Sequence, residues 1–217
     1  MEIGVVITAG GLGKRLGGEI PKQLLELRGK TMWRHSVDSF LRNKHIKAVV
    51  LTVPKEWQDH FADSSIIVAT GGKERWQSVK NGIEALPQSI SHVMVHDGAR
   101  PFVSDDIINS VAEALEKNCC MVAKPVFDTV KITESGFVKN TIDRKSVWLA
   151  QTPQAAPVAL LKELYKKMEG FPDFCPTDEA SILEKFGVSI KIVEGNAQND
   201  KITTIEDMEK FLCSNGP

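Results

Sequence analysis

Two hydrophobic periods alternate along this chain, and that alternation constrains its fold more than any other feature. Short β-branched runs recur at Ile3 to Thr8, Ile46 to Val53, Ile66 to Ala69, His92 to His96 and Met121 to Val126. Each has the length and continuous apolarity of a strand covered on both faces. Between them stand segments with apolar residues three and four apart: Met32-Trp33-Val37-Phe40-Leu41, Trp76-Val79-Ile83-Leu86 and Ile107-Ile108-Val111-Leu115. These read as amphipathic helices. Strand and helix in turn predict an α/β fold of three layers around a mainly parallel central sheet. Ser104 before Asp105 and Asp106 marks a helix start, a side-chain cap followed by acids in the first turn. Helices at about Val158 to Met168 and Asp178 to Phe186, a strand at Ser189 to Val193 and a last helix after Thr204 complete the expected order.

A chain of 217 residues with 42% hydrophobic content can bury a sizeable core, and the expectation is one domain spanning 1–217. No internal repeat, low-complexity tract or linker argues for a boundary. The formal net charge is −1 and the 27 basic residues are dispersed, so no global field draws the protein to nucleic acid or to a membrane. Any anion site must be local. Cys119 and Cys120 are adjacent while Cys175 and Cys213 stand apart, which gives neither a CxxC pair nor zinc spacing. They read as reduced thiols. The N-terminus has no basic segment and no apolar stretch long enough for export or spanning, so a soluble, cytoplasmic protein is expected.

One stretch departs from the alternation. From Val126 to about Asp143, Val130-Lys131-Ile132-Thr133 alternates, Glu134-Ser135-Gly136 reads as a turn, and Phe137-Val138 resumes an extended run. This predicts a protruding β-hairpin arm. A lone two-stranded ribbon is marginal in water, so its apolar residues are expected to pack either on a second subunit or on its own domain.

The chemistry concentrates in loops that follow strands. Thr8-Ala9-Gly10-Gly11-Leu12-Gly13-Lys14-Arg15-Leu16 follows the first run and is trailed by Pro21-Lys22-Gln23. Glycines let backbone N–H groups approach an anion, and Lys14, Arg15 and Lys22 supply the charge to neutralise a triphosphate. The segment is not a dinucleotide fingerprint, which needs glycine at Leu16, nor an ATPase P-loop, which needs glycine at Thr8 and Ser or Thr at Arg15. Gly29-Lys30-Thr31 fails the same test at Leu24 and reads as a turn opening a helix.

His96-Asp97-Gly98-Ala99-Arg100-Pro101 follows another strand directly, which puts Asp97 and Arg100 at a carboxyl end, where open α/β sheets bind ligands. Asp97 is a candidate Mg²⁺ ligand, since that ion takes one or two carboxylates together with substrate phosphates. The plainer alternative is a loop salt bridge from Asp97 to Arg100. His96 reads as a core histidine. Gly71-Gly72-Lys73-Glu74-Arg75 is a further glycine turn entering a helix with Ser78 on its first turns, and Glu74 and Arg75 read as solvated charges. Gln151-Thr152-Pro153-Gln154 and Pro176-Thr177-Asp178-Glu179-Ala180 read as loop-to-helix junctions, with Thr177 as an N-cap.

Taken together these segments, with Asp128-Thr129-Val130-Lys131 and Asn199-Asp200-Lys201, resemble the 2-C-methyl-D-erythritol 4-phosphate cytidylyltransferase family of the isoprenoid pathway over nearly the whole chain. Two departures are small for small: Gly10 stands where the family usually has a second alanine, and Gly98-Ala99 stand where it usually has two. The resemblance implies a Rossmann-like nucleotidyltransferase fold and transfer of CMP from CTP to 2-C-methyl-D-erythritol 4-phosphate with release of pyrophosphate. It implies Arg15, Lys22 and Lys201 as catalytic cations, and Ala9, Gly10, Gly11, Gly13, Gly72, Ser78, Asp97 and Gly98 around the nucleotide. Arg100, Thr129, Arg144, Thr152 and Thr177 would surround the acceptor, Asp97 would hold Mg²⁺, and the arm would build a homodimer. Two other readings are a ribitol-5-phosphate cytidylyltransferase and a non-catalytic nucleotide sensor on the same fold; the joint presence of Arg15, Lys22, Asp97 and Lys201 argues against a sensor, which needs no transition-state cations.

Overall fold

The computed structural model describes residues 1–11 and 21–213. Its strands and helices run, in chain order, β1 (Ile3–Thr8), β2 (Glu26–Leu27), β3 (Lys30–Thr31), α1 (Met32–Arg42), β4 (Ile46–Val53), β5 (Ile67–Thr70), α2 (Arg75–Ala85), β6 (His92–Asp97) and α3 (Asp105–Leu115). Then follow β7 (Cys119–Pro125), β8 (Val130–Glu134), β9 (Phe137–Ile142), β10 (Trp148–Pro157), α4 (Val158–Met168), α5 (Glu179–Lys185), β11 (Ile190–Glu194) and α6 (Ile205–Cys213).

Among the described residues the main sheet has seven strands in the order β11-β7-β10-β6-β1-β4-β5. β1 pairs in parallel with β4 and β6, β4 with β5, and β7 with β11. Period-two alternation splits the core between the two faces. Val5, Ile7, Leu51 and Met94 meet Val37 and Phe40 of α1 and Ile108 and Val111 of α3. Val6, Val50 and Val95 meet Val79 of α2, Leu161 and Tyr165 of α4 and Ile182 of α5. Each such side chain, fully removed from water, contributes about 1.5–3 kcal/mol before conformational entropy is counted.

The expected α/β order is correct, but it omits the short ribbon of β2 and β3 and the long strand β10. The loop-to-helix junction read at Gln151 to Gln154 is part of β10, which runs antiparallel to both β6 and β7 in the middle of the sheet. From Ala150 onward its residues are small or polar, so no apolar run marks them. One of them fastens α5 to the sheet through its amide: Gln154 Oε1 accepts from Ala180 N at 2.8 Å, and Gln154 Nε2 donates to Asp178 Oδ2 at 2.9 Å. The Thr152–Pro153 peptide bond is cis. A second correction concerns α5, whose N-cap is Asp178 rather than Thr177: Asp178 accepts from Ser181 N, and the Ser181 hydroxyl oxygen accepts from Asp178 N–H. Ser104 caps α3 as expected, accepting from Ile107 N.

The hairpin arm is β8 paired with β9, Glu134 opposite Phe137. Ser135 and Gly136 between them have φ of 51° and 84°, the left-handed pair that a two-residue hairpin turn requires. Its apolar side chains face water in the single chain, with Phe137 79% and Val138 64% exposed.

Candidate functional site

The carboxyl ends of β1 and β6 and the turn that leaves β5 open onto one cavity of about 280 Å³. Thr8, Gly10 and Gly11 form one wall, Gly72, Lys73 and Ser78 a second, and Asp97, Lys22 and Lys201 a third. Why Gly72 must be glycine is steric: a Cβ there would lie 2.2 Å from the Gln77 Cβ, which the turn into α2 does not allow. Ser78 pins that turn, its oxygen accepting from Gly72 N at 2.9 Å. At the other wall Gly98 N donates to Thr8 O at 2.9 Å, so β1 and β6 stay paired one residue past their ends. Ala9, fully buried, is held by a bond from its N–H to Thr52 O.

A second cavity of about 250 Å³ adjoins the first. Arg100, Thr152, Gln154, Thr177 and Asp178 line it, and three residues, Arg75, Asp97 and Lys201, line both cavities. These three form the junction. Arg75 Nε donates to Asp97 Oδ1 at 3.2 Å, Lys201 Nζ donates to Asp97 Oδ2 at 2.9 Å, and Arg100 Nε lies 3.7 Å from Oδ2. On its other side Arg75 Nη1 reaches both oxygens of Glu179, at 2.9 and 3.0 Å. Burial alone would raise the Asp97 pKa, but Arg75, Lys201 and Arg100 outweigh it and hold the carboxyl well below the ordinary range. Glu179, 1% exposed, goes the other way: burial raises it and Arg75 only partly compensates. Burial favours a neutral Arg75, but its two carboxylate partners keep it charged and raise its pKa.

One segment anchors the cations. Asn199 is fully buried, and its Nδ2 donates to Thr152 O at 2.8 Å and to Gln151 Oε1 at 3.2 Å. From there Asn199 O accepts from Arg100 Nη1 at 2.9 Å, Lys201 extends to Asp97, and Ile202 O accepts from Lys22 Nζ at 2.9 Å. Beneath it His96 is a core residue, as expected. Its Nε2–H donates to Arg100 O at 3.0 Å, which leaves Nδ1 to accept from the Thr152 hydroxyl at 3.0 Å. That tautomer is neutral, in keeping with burial lowering the His96 pKa from 6.5 to about 4. The Thr152 oxygen in turn accepts from Asp97 N at 3.1 Å.

Of the residues singled out in the sequence, Gly10, Gly11, Lys22, Gly72, Ser78, Asp97, Arg100, Thr152, Thr177 and Lys201 line one cavity or the other. Gly13 and Arg15, with Lys14, lie outside the described residues. Thr129 and Arg144 are exposed on the arm and line neither cavity of their own chain; Arg144 Nη1 donates to Phe127 O. The expected Asp97–Arg100 contact exists, but as the longest of three cation contacts. Arg75 corrects the sequence reading: it is not a solvated charge but a half-buried one between two carboxylates. Lys73 and Glu179 were missed as well. A lysine after Gly71-Gly72 is a signal for the first, while Glu179 is legible only once the fold sets it beside a residue 104 positions away. Asp97 is the carboxylate that lines both cavities and offers a metal ion a hard oxygen there, and among the described residues no group of three His, Cys, Asp or Glu is placed to hold a metal ion.

Comparison with known proteins agrees with this arrangement. The family model described as IspD, 2-C-methyl-D-erythritol 4-phosphate cytidylyltransferase, matches residues 3–211. A protein of that name from Clostridioides difficile (strain 630) is 38% identical over 213 residues, covering 94% of this chain and 90% of the relative. The crystal structure of 4-diphosphocytidyl-2C-methyl-D-erythritol synthase from Anaerococcus prevotii superposes with a TM-score of 0.85 at 30% identity, covering 97% of this chain and 94% of that one. The Francisella tularensis 2-C-methyl-D-erythritol 4-phosphate cytidylyltransferase gives 0.84 at 32% identity, with 97% and 98% covered. The glycine-lined cavity, its junction of Asp97 with three cations and the whole-length similarity converge on one conclusion: the chain belongs to the 2-C-methyl-D-erythritol 4-phosphate cytidylyltransferase family.

Proposed function

We propose that this chain transfers CMP from CTP to 2-C-methyl-D-erythritol 4-phosphate and releases pyrophosphate. One observation carries the reading: two adjoining cavities, one glycine- and lysine-walled and the other holding Arg100 and Thr177, meet at the shared residues Arg75, Asp97 and Lys201. A reaction that joins two phosphate-bearing substrates needs two sites with a cationic junction. CTP takes the first cavity, with Gly72, Ser78 and Gly98 at base and ribose and the Ala9 to Gly13 loop at the phosphates. The acceptor phosphate takes the second, against Arg100, Thr152 and Thr177. In this reading the whole chain, 1–217, acts as one nucleotidyltransferase domain with the arm as an insertion.

An oxygen of the acceptor phosphate, anionic at neutral pH, attacks the α-phosphorus of CTP. The bond from that phosphorus to the bridging oxygen breaks in line, and pyrophosphate leaves with the electron pair. No side chain need act as a base. The barrier is the meeting of two anions, worth about 4 kcal/mol for unit charges 4 Å apart at a surface-like dielectric of about 20. Lys22, Lys201 and Arg15 answer it by neutralising charge as it gathers around the phosphorus. Asp97 suits Mg²⁺: its carboxyl is held ionised where the two cavities meet, and its Oδ2 partner Lys201 is 40% exposed and can exchange. When bound, that ion neutralises phosphate oxygens.

The reading extends to a homodimer in which the arm reaches the neighbouring subunit and brings Thr129 and Arg144 to its acceptor cavity. The exposed Phe137 and Val138, and the absence of Thr129 and Arg144 from the lining of either cavity of their own chain, support it. Pyrophosphate release with CTP and Mg²⁺ in the presence of 2-C-methyl-D-erythritol 4-phosphate, or of ribitol 5-phosphate, tests the assignment. Release with the first acceptor and little with the second is expected; preference for ribitol 5-phosphate would reassign the acceptor, and release with neither would leave only a sensor.

A further inference from the structure

Of the charged side chains at the junction, Glu179 alone lines neither cavity. It is 1% exposed at the first position of α5, and it receives both of its charge-assisted contacts from Arg75 Nη1. Arg75 spends Nε on Asp97, while its Nη2 is buried without a hydrogen-bond partner among the described residues. A carboxylate with no path to a substrate and a guanidinium that lacks a full set of acceptors make a poor stabilising device. Buried ion pairs of this kind are often matched or bettered by apolar side chains of similar size. Stability therefore does not explain why two charges are kept there, and the position of the pair does. Arg75 stands in the partition between the cavities with one N–H on Asp97 Oδ1.

Consider Asp97 without Glu179. It would face Arg75, Lys201 and Arg100 alone, three cations on one carboxylate. The guanidinium would turn wholly toward it, and both oxygens would be closed to any further cation. With Glu179 in place, Arg75 is drawn back to two contacts on one side and a single 3.2 Å contact on the other. Oδ2 is then left to Lys201, which is 40% exposed and exchangeable, and to the longer 3.7 Å contact of Arg100.

Resting on the functional reading above, we propose that Arg75 and Glu179 are a positioning pair for the transfer. Glu179 fixes the guanidinium and takes up its charge, so that Arg75 orients Asp97 through one oxygen and leaves the other to the divalent cation that accompanies CTP. Neither residue need touch a reacting atom for this role.

The test uses the full chain with Glu179→Gln, which keeps the shape and removes the charge. Two readouts are taken: calorimetric CTP binding across a Mg²⁺ series without acceptor, and kcat for pyrophosphate release. The expected result is a folded protein that needs more Mg²⁺ to bind CTP and loses about 10- to 100-fold in kcat, the range typical when a residue that orients a metal ligand is removed. A folded Glu179→Gln with the wild-type Mg²⁺ profile and wild-type kcat would overturn the proposal. Should thermal melting show that this variant does not fold, the double variant Arg75→Met, Glu179→Met removes both charges together. A double variant that folds and shows the same losses supports the pair, whereas one with wild-type kcat and Mg²⁺ dependence reduces it to a structural contact and overturns the proposal. Failure of the functional reading is visible separately, as a wild-type chain that releases no pyrophosphate.

Discussion

At the scale of single residues, charge placement follows from what each group can do when water is removed. Lys22, Lys201 and Arg100 are tied to Ile202 O, Asp97 and Asn199 O, so the cations are oriented before any substrate arrives. His96 shows the opposite solution, a group kept neutral by complete burial, which outweighs the hydrogen bond to the Arg100 carbonyl. Its folded pKa of about 4 lies below the ordinary 6.5, so between those values the unfolded chain binds a proton that the folded chain does not. The stability this gives is present above pH 6.5 and is lost as pH falls toward 4. Between pH 7 and pH 5 the loss from this group is about 2 kcal/mol, at about 1.4 kcal/mol per unit. Urea denaturation of the wild type and of His96→Gln at both pH values should show that extra loss in the wild type only. Equal pH dependence in the two proteins would contradict the assignment. Glu179, whose pKa is raised by burial, contributes with the opposite sign, but it is common to both proteins and cancels from the comparison.

At the scale of elements, legibility in the sequence tracked the source of each element's stability. β1, β4 and β6 take theirs from apolar faces packed on both sides, and such faces leave a run of Val, Ile and Leu in the sequence. β10 does not: Gln151, Thr152 and Gln154 are buried through amide and hydroxyl bonds to residues far along the chain, and polar side chains with a proline read as a loop. The glycine turns and Asp97 were legible because a loop after a strand has few purposes in such a fold. Arg75 was not, because a charge opening a helix has the same local pattern whether it faces water or a buried carboxylate. The arm was legible from its alternation and its turn residues, and it carries a prediction at this scale. Deleting 133–138 should leave the main sheet folded, since among the described residues β8 and β9 pair with each other and not with that sheet. Light scattering and the transfer assay should then give a folded, inactive monomer. A dimer with full activity would show that the arm supplies neither association nor Thr129 and Arg144.

At the scale of the molecule, the sheet topology is what makes two sites adjacent. β1 and β6 and the turn after β5 supply the glycine-walled cavity, while the antiparallel β10 returns beside β6 and brings Thr152 and Gln154 to the second. The Asn199 to Ile202 segment then crosses both, so that Lys201 lines each of them. The central claim is that one nucleotide and one acceptor phosphate occupy these cavities at the same time and react directly. Phosphorus NMR of the wild-type chain with CTP, Mg²⁺ and 2-C-methyl-D-erythritol 4-phosphate tests it most directly. The expected result is loss of the acceptor monophosphate signal and of CTP in step, with equal amounts of a new diphosphate diester and of free pyrophosphate. CTP that persists, or that breaks down to CMP and pyrophosphate while the acceptor signal stays unchanged, would contradict it.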